Sequence, residues 1–299
     1  MDIIYTKSKK IRLDKYVLEI IPDLSRSAIQ KKIKQGEILV NNKKILPHHF
    51  IKSGDKIIIS ENPVTIKNNS INYQFTTLAE TQHYFIIYKP AGLTVHKPNP
   101  ESTMITLADM LTQKYPDLKN IGEHPLRPGI MHRLDKNVSG IMVIAKTITM
   151  YAHLKQQFQT RQTQKTYLGL VYGHMPEVAG TIDFPIIRSR SGKMVARPKS
   201  QSGKEAVTLY ETITQYPHFT YLKLMPKTGR THQIRLHLNA LGHPLVGETL
   251  HIPKKLKLFK NIDRIFLHAL RLGFFDLQGD WQEYEAPLPQ ELHTILNSL

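Results

Sequence analysis

Five consecutive apolar residues, Ile141, Met142, Val143, Ile144 and Ala145, follow a stretch crowded with charge: His132, Arg133, Asp135 and Lys136. A run this short, apolar on both faces, reads as a strand buried on both sides, which demands a sheet covered by other elements. It also leaves one carboxylate, Asp135, at the mouth of a rigid support, where a side chain can be held in a fixed place. Around it strand-like and helix-like segments alternate. "HYFIIYKP" (83–90), "KTYLGLVYG" (165–173) and "HFTYLKLMP" (218–226) read as strands. "TLADMLTQKYP" (106–116) and "ITMYAHLKQQFQTRQ" (148–162) read as helices, with Tyr151, Leu154 and Phe158 on one face. Strands outnumber helices, so the expected core is α+β: a mixed, mostly antiparallel sheet flanked by helices.

Residues 1–60 read as a separate small unit. Leu13, Tyr16, Val17, Ile20 and Ile21 carry helical spacing that Pro22 closes. Ser25 is placed to cap a second helix, with Ile29 and Ile33 on its buried edge and Gly36 at its end. "EILVNNKKI" and "GDKIIIS" then read as short strands, with a turn at Asn41–Asn42. This unit holds 13 Lys and Arg against 6 Asp and Glu, an excess of 7. A basic helical pair followed by strands resembles the alpha-L RNA-binding motif. The resemblance implies RNA contacts from Arg26, Lys31 and Lys34. The polar, Asn-rich stretch 61–77 reads as a linker, giving expected domains of 1–65 and 66–299.

The whole chain has 41 Lys and Arg against 24 Asp and Glu, a net charge of +17 that favours a polyanionic partner such as nucleic acid. The absence of cysteine excludes disulfides, thiolate metal sites and cysteine nucleophiles. With them go uracil C5 methylation through a thiolate and deamination at a Cys/His zinc site. "SRSGK" and "SQSGK" lack the glycine spacing of a phosphate-binding loop, and no H-E-x-x-H helix is present. The first residues lack the apolar core of a signal peptide, and no apolar run approaches the roughly 20 residues of a membrane span. A cytoplasmic protein without membrane attachment is expected.

Three stretches belong together: "FIIYKPAGLTVHKP" (85–98), "PGIMHRLDKNVSGIMVIAKT" (128–147) and "PKTGRTHQIRLHLNALGHPLVG" (226–247). With "KTYLGLVYG", "FLHALRLGF" and "APLPQEL", they resemble the RluA/RluD-type RNA pseudouridine synthases along nearly the whole chain. The resemblance implies the pseudouridine synthase fold and isomerisation of uridine in RNA. It implies Asp135 as nucleophile, Arg235 as its partner and Tyr167 as a platform for the target uracil. Arg133 would take the place of the extruded base; Lys136 is expected to meet RNA phosphate, and His132 and Lys89 to serve a structural or RNA-positioning role rather than a chemical one. Large-subunit ribosomal RNA is the expected substrate, with transfer RNA the alternative and a non-catalytic RNA-binding or ribosome-assembly factor the rival. The protein is expected to work as a monomer.

Elementary chemistry points the same way. The reaction detaches uracil at N1 and rejoins it through C5, with no change of redox state, so neither metal nor cofactor is expected. The nucleophile must bond transiently to C6 of the base or C1′ of the sugar. A carboxylate can do so only when ionised; burial opposes ionisation and a nearby guanidinium favours it. Arginine keeps its charge when desolvated and orients a carboxylate with two donors. On helical spacing Arg235 shares a stripe with His232 and Asn239, apart from Ile234, Leu238 and Leu241. Three departures stand out: "ETLHIP" where relatives carry Asp and then Tyr-Gly, Asn137–Val138 for Asp-Thr, and Tyr88 for Asn.

Overall fold

The computed structural model describes residues 1–22, 24–60, 74–189, 192–198, 202–251 and 262–299. The chain divides into two compact units, Met1–Asn72 and Tyr73–Leu299. The expected boundary between 65 and 66 lies outside the described residues.

The first unit runs β1 (Asp2–Ile4), β2 (Ile11–Arg12), α1 (Leu13–Ile20), α2 (Arg26–Gln35), β3 (Ile38–Val40), β4 (Phe50–Ile51) and β5 (Lys56–Ile59). Strands β1, β5 and β3 form one sheet, and β2 pairs with β4. Leu13 and Val17 of α1 meet Ile29 and Ile33 of α2 and Ile57 of β5 in a core closed to solvent. Ser25 accepts the Ala28 N–H at 3.3 Å, and Gly36 ends α2 at φ +85°. Asn41 and Asn42 turn the chain with positive φ, after which Lys43 makes only an isolated bridge to Val40.

The second unit begins with β6 (Thr76–Glu80), β7 (Tyr84–Lys89), α3 (Leu107–Lys114) and a 3-10 turn (Pro116–Asn120). It continues with β8 (Ser139–Ala145), α4 (Ile148–Thr160), β9 (Gln164–Tyr172), β10 (Ala179–Asp183), β11 (Ile186–Arg188) and β12 (Met194–Ala196). It closes with β13 (Val207–Tyr216), β14 (Phe219–Pro226), α5 (Gln233–Ala240), β15 (Leu267–Phe275), β16 (Trp281–Glu285) and α6 (Gln290–Asn297). A nine-stranded sheet in the order β10-β13-β14-β9-β15-β8-β7-β6, with β16 also on β15, forms its core. Every pairing is antiparallel except β15 with β8. The mixed, mostly antiparallel α+β architecture is therefore present, and all seven residues of β8 are buried inside it.

Strand β15 is shared. Along one edge it pairs with β9; along the other, His268 and Ala269 meet Ser139 and Gly140 of β8 before β16 takes over from Arg271. The handover needs Gly140. A Cβ there would lie 2.3 Å from the Ala269 carbonyl oxygen, and φ is +132°, a conformation L side chains rarely adopt. Beyond this point, among the described residues, β8 pairs with no strand on that side. Its Val143 N–H goes instead to His132 Nε2 at 3.1 Å, and its Ala145 N–H to the Gly129 carbonyl at 3.0 Å. The segment leading to Asp135 is thus stitched onto β8 as if it were a further strand.

Candidate active site

The loop bearing Asp135 is fixed at three residues, His132, Asp135 and Lys136. His132 takes the Val143 N–H, and its ring stacks on Phe158 of α4 with centroids 4.6 Å apart. An imidazole nitrogen that accepts an N–H is unprotonated. Burial, and then the charge of Lys165, push the His132 pKa down to about 3, so this ring is neutral at ordinary pH. The Asp135 carbonyl accepts from Val138 at 3.1 Å, closing a tight turn. The Lys136 carbonyl accepts from Gly92 N at 2.8 Å and from Lys89 Nζ at 3.2 Å.

Of the two roles expected for Lys89, structural or RNA-positioning, its surroundings favour the structural one. Its side chain is wholly buried, and Nζ donates to the carbonyls of Pro90, Leu93 and Lys136. Burial, and then the Arg264 charge, push its pKa down to about 7. A lysine enclosed this way cannot meet a phosphate. It ties the turn after β7 to the loop of Asp135. His132 is likewise spent on backbone and a stacking partner, so its role is to shape the loop.

Arg235 lies on α5, the helix expected to bury one stripe and present another. In fact α5 is buried from Gln233 through Leu238. Its polar side chains are satisfied inside: Gln233 bonds Thr228, Val207 and Thr208, and His237 bonds Thr208 and Phe184. The helix starts abruptly at His232, which holds a left-handed φ of +56°. That turn aims His232 Nε2 to within 3.7 Å of Asp135 Oδ1, while its Nδ1 meets His251 Nε2 at 2.9 Å.

From α5 the Arg235 guanidinium reaches two carboxylates. Nη1 donates to Asp135 Oδ2 at 2.9 Å, a contact spanning 100 residues of sequence. Nε and Nη2 donate side by side to Glu248, at 2.7 and 2.9 Å. Glu248 Oε1 also accepts the backbone N–H groups of Thr249, Leu250 and His251. Burial pushes the Glu248 pKa up, but the Arg235 bonds and charge and these N–H groups outweigh it and hold it at about 2. Glu248 falls in the "ETLHIP" stretch that departs from the expected motif. The sequence signal that could have found it is that Glu248 is the first acid to follow the helix bearing Arg235.

Asp135, Tyr167, Arg235, Arg133, Lys165 and Lys227 line one cleft of about 840 Å3. The Asp135 side chain keeps 20% of its surface open to it. Tyr167 sits on β9 between Leu224 of β14 and Ala269 of β15 and is partly buried. Burial, and then the Asp135 charge, raise its hydroxyl above the usual tyrosine range, so it stays a neutral phenol. Burial, and then Lys227, hold Lys165 down to about 8. Arg133 is exposed at the rim, with one bond from Nη1 to His96 at 3.1 Å, and Lys136 is exposed beside it.

In the first unit, Lys31 and Lys34 are exposed on α2. Arg26 is exposed too, but one edge of its guanidinium grips the buried Asp14, which also binds Arg12 and Gln30. Burial pushes Asp14 up, yet those three partners hold it well below the usual carboxylate range.

This geometry can be set beside known proteins. Residues 83–240 match the family model described as RNA pseudouridylate synthase. The chain belongs to that family. Residues 11–57 match the S4 domain. The chain is 35% identical over 301 residues to an uncharacterised RNA pseudouridine synthase of Aquifex aeolicus, covering 96% of this chain and 93% of that one. It is 33% identical over 302 residues to ribosomal large subunit pseudouridine synthase D of Escherichia coli K12, covering 95% and 89%. Among solved structures, human RNA pseudouridylate synthase domain containing 4 matches with a TM-score of 0.58 and 27% identity, over 74% of this chain and 91% of that one. The second unit is thus an RNA pseudouridine synthase domain, and the S4 domain ahead of it marks RNA as the partner. Among the described residues no helix is long and apolar enough to cross a membrane.

Proposed function

We propose that this pseudouridine synthase isomerises uridines of large-subunit ribosomal RNA, with Asp135 as the nucleophile. The observation that carries the reading is the 2.9 Å bond joining Asp135 to Arg235 at the floor of a basic cleft. In the reaction the N1–C1′ bond breaks and a C5–C1′ bond forms, while a proton leaves C5 and one is taken up at N1. A uridine extruded into the cleft would meet the Asp135 carboxylate at C6 or C1′, with the Tyr167 ring as its stacking surface. Neutrality of the Tyr167 phenol suits that role, since a charged ring would repel the carboxylate beside it.

Lys165 and Lys227 suit the substrate's phosphates. Both line the cleft, and among the described residues neither has a carboxylate partner. Arg133 would fill the gap left by the extruded base; its exposure on the cleft lining supports that reading. The ribosomal assignment rests on the name and near full-length likeness of the Escherichia coli relative, together with the S4 domain.

The test is chemical mapping of pseudouridine in total RNA, with and without the gene. Loss of marks confined to large-subunit ribosomal RNA is expected, with recovery on re-expression. Loss confined to transfer RNA would move the substrate, and an unchanged map would support the non-catalytic RNA-binding reading.

A further inference from the structure

We infer that Glu248 is a positioning residue that restricts Arg235 to a one-pronged contact with Asp135, leaving the second oxygen of Asp135 free to attack. The inference rests on the reading of Asp135 as nucleophile and goes beyond it.

An arginine facing a lone carboxylate prefers a fork, two parallel N–H···O bonds that occupy both oxygens. Here the fork is given to Glu248: Nε bonds Oε2 at 2.7 Å and Nη2 bonds Oε1 at 2.9 Å. Asp135 receives only Nη1, on Oδ2. Among the described residues Oδ1 accepts no hydrogen bond, and the imidazole nitrogen His232 Nε2 stands 3.7 Å away. An unbonded oxygen on a fixed carboxylate is what attack on a carbon centre requires.

Glu248 is itself immovable. Its side chain is buried, and Oε1 is pinned by the N–H groups of Thr249, Leu250 and His251 at 2.9, 2.7 and 3.2 Å. The approach that puts it there depends on Gly247, where a Cβ would fall 2.0 Å from the Arg264 carbonyl oxygen. The guanidinium plane is therefore set from behind by an anion that cannot rotate away. The charges are −1, +1 and −1, so the trio keeps a net −1 beside the cleft.

Glu248→Gln separates charge and donor pattern from shape. Its amide oxygen can take the Oε1 place and keep the three backbone N–H groups. Its NH2 then faces the Arg235 Nε–H, donor against donor, and the guanidinium must turn toward Asp135. Glu248→Asp keeps the charge on a shorter arm, and Asp is the residue usual at this place in the motif the chain resembles.

The experiment compares wild type, Glu248→Gln, Glu248→Asp and Asp135→Asn under single-turnover conditions on ribosomal RNA, with RNA affinity and melting temperature measured for each. Glu248→Gln is expected to turn over about 100-fold more slowly, the effect of a small misplacement of a reacting group, with RNA affinity unchanged. Glu248→Asp should recover most of the loss. Wild-type turnover by Glu248→Gln, or a folded Glu248→Asp as slow as Glu248→Gln, overturns the inference. Should Glu248→Gln fail to fold, Glu248→Asp decides: fast turnover supports the role and slow turnover refutes it. Wild-type turnover by Asp135→Asn would instead overturn the nucleophile reading on which the inference stands.

Discussion

At the scale of single residues, position in the chain says little about how a charge is used. Lys89 and Lys165 lie on strands of one sheet, β7 and β9, yet one is sealed under three carbonyls and the other faces the cleft. Lys89→Met would strand those carbonyls and release the Lys136 turn; a loss of about 2–3 kcal/mol in stability is expected, measured by urea unfolding. Lys165 has its pKa held down to about 8, so it sheds its charge as pH rises through that value. RNA affinity should therefore fall between pH 7 and 9 by an amount that Lys165→Arg abolishes, because the guanidinium stays charged; fluorescence anisotropy on one RNA would report it. Sequence motifs singled out Asp135, Arg235 and Tyr167, and the structure brings all three to one cleft. Between a structural and an RNA-positioning role for Lys89 the sequence could not decide, because a lysine before Pro-Ala-Gly carries no sign of its burial. Glu248 was missed because it comes beside its partner Arg235 only when the chain after α5 folds back to bring the two together.

At the scale of elements, the site depends on a strand that changes partners. Helices α1 to α4 and strands β7, β9 and β14 could be read from periodicity, capping residues and prolines, all local signals. The splitting of β15 between β8 and β16 could not, because register between distant strands leaves no local trace. Nor could the burial of α5 on nearly every side, since the polar partners of Gln233 and His237 include Val207 and Thr208 of β13 and Phe184 after β10, all distant in sequence. Gly140 is where this matters most. Gly140→Ala places a methyl 2.3 Å from the Ala269 oxygen at φ +132°, so β8 and β15 must part. A loss of more than about 3 kcal/mol is expected, together with lost turnover, since the Asp135 loop hangs from β8. Differential scanning calorimetry beside a turnover assay would detect both.

At the scale of the whole molecule, stability and RNA binding respond to different variables. His268 is fully buried: Nε2 donates to the Ala286 carbonyl at 2.8 Å, and Nδ1 accepts from the Ser139 hydroxyl, which itself accepts from Arg264. That chain of donors needs a neutral ring, and burial, the leading cause, holds its pKa down to about 4 from 6.5. The unfolded chain therefore takes up this proton first. Its contribution is complete above pH 6.5 and is lost as pH falls toward 4, on the order of 3 kcal/mol. His132, held at about 3, acts in the same direction. The urea midpoint should drop steadily from pH 7 to 4.5, and His268→Gln should flatten part of that slope. Binding, by contrast, should weaken steeply with salt, as expected when a chain of net charge +17 displaces counterions from RNA. All of it converges on whether the Asp135 carboxylate forms the transient bond. The direct test is release of tritium from RNA labelled at uridine C5, by wild type and by Asp135→Asn. Steady release by wild type is expected, with a loss of about 10,000-fold or more in the variant while RNA binding holds. Release by Asp135→Asn at the wild-type rate would contradict it.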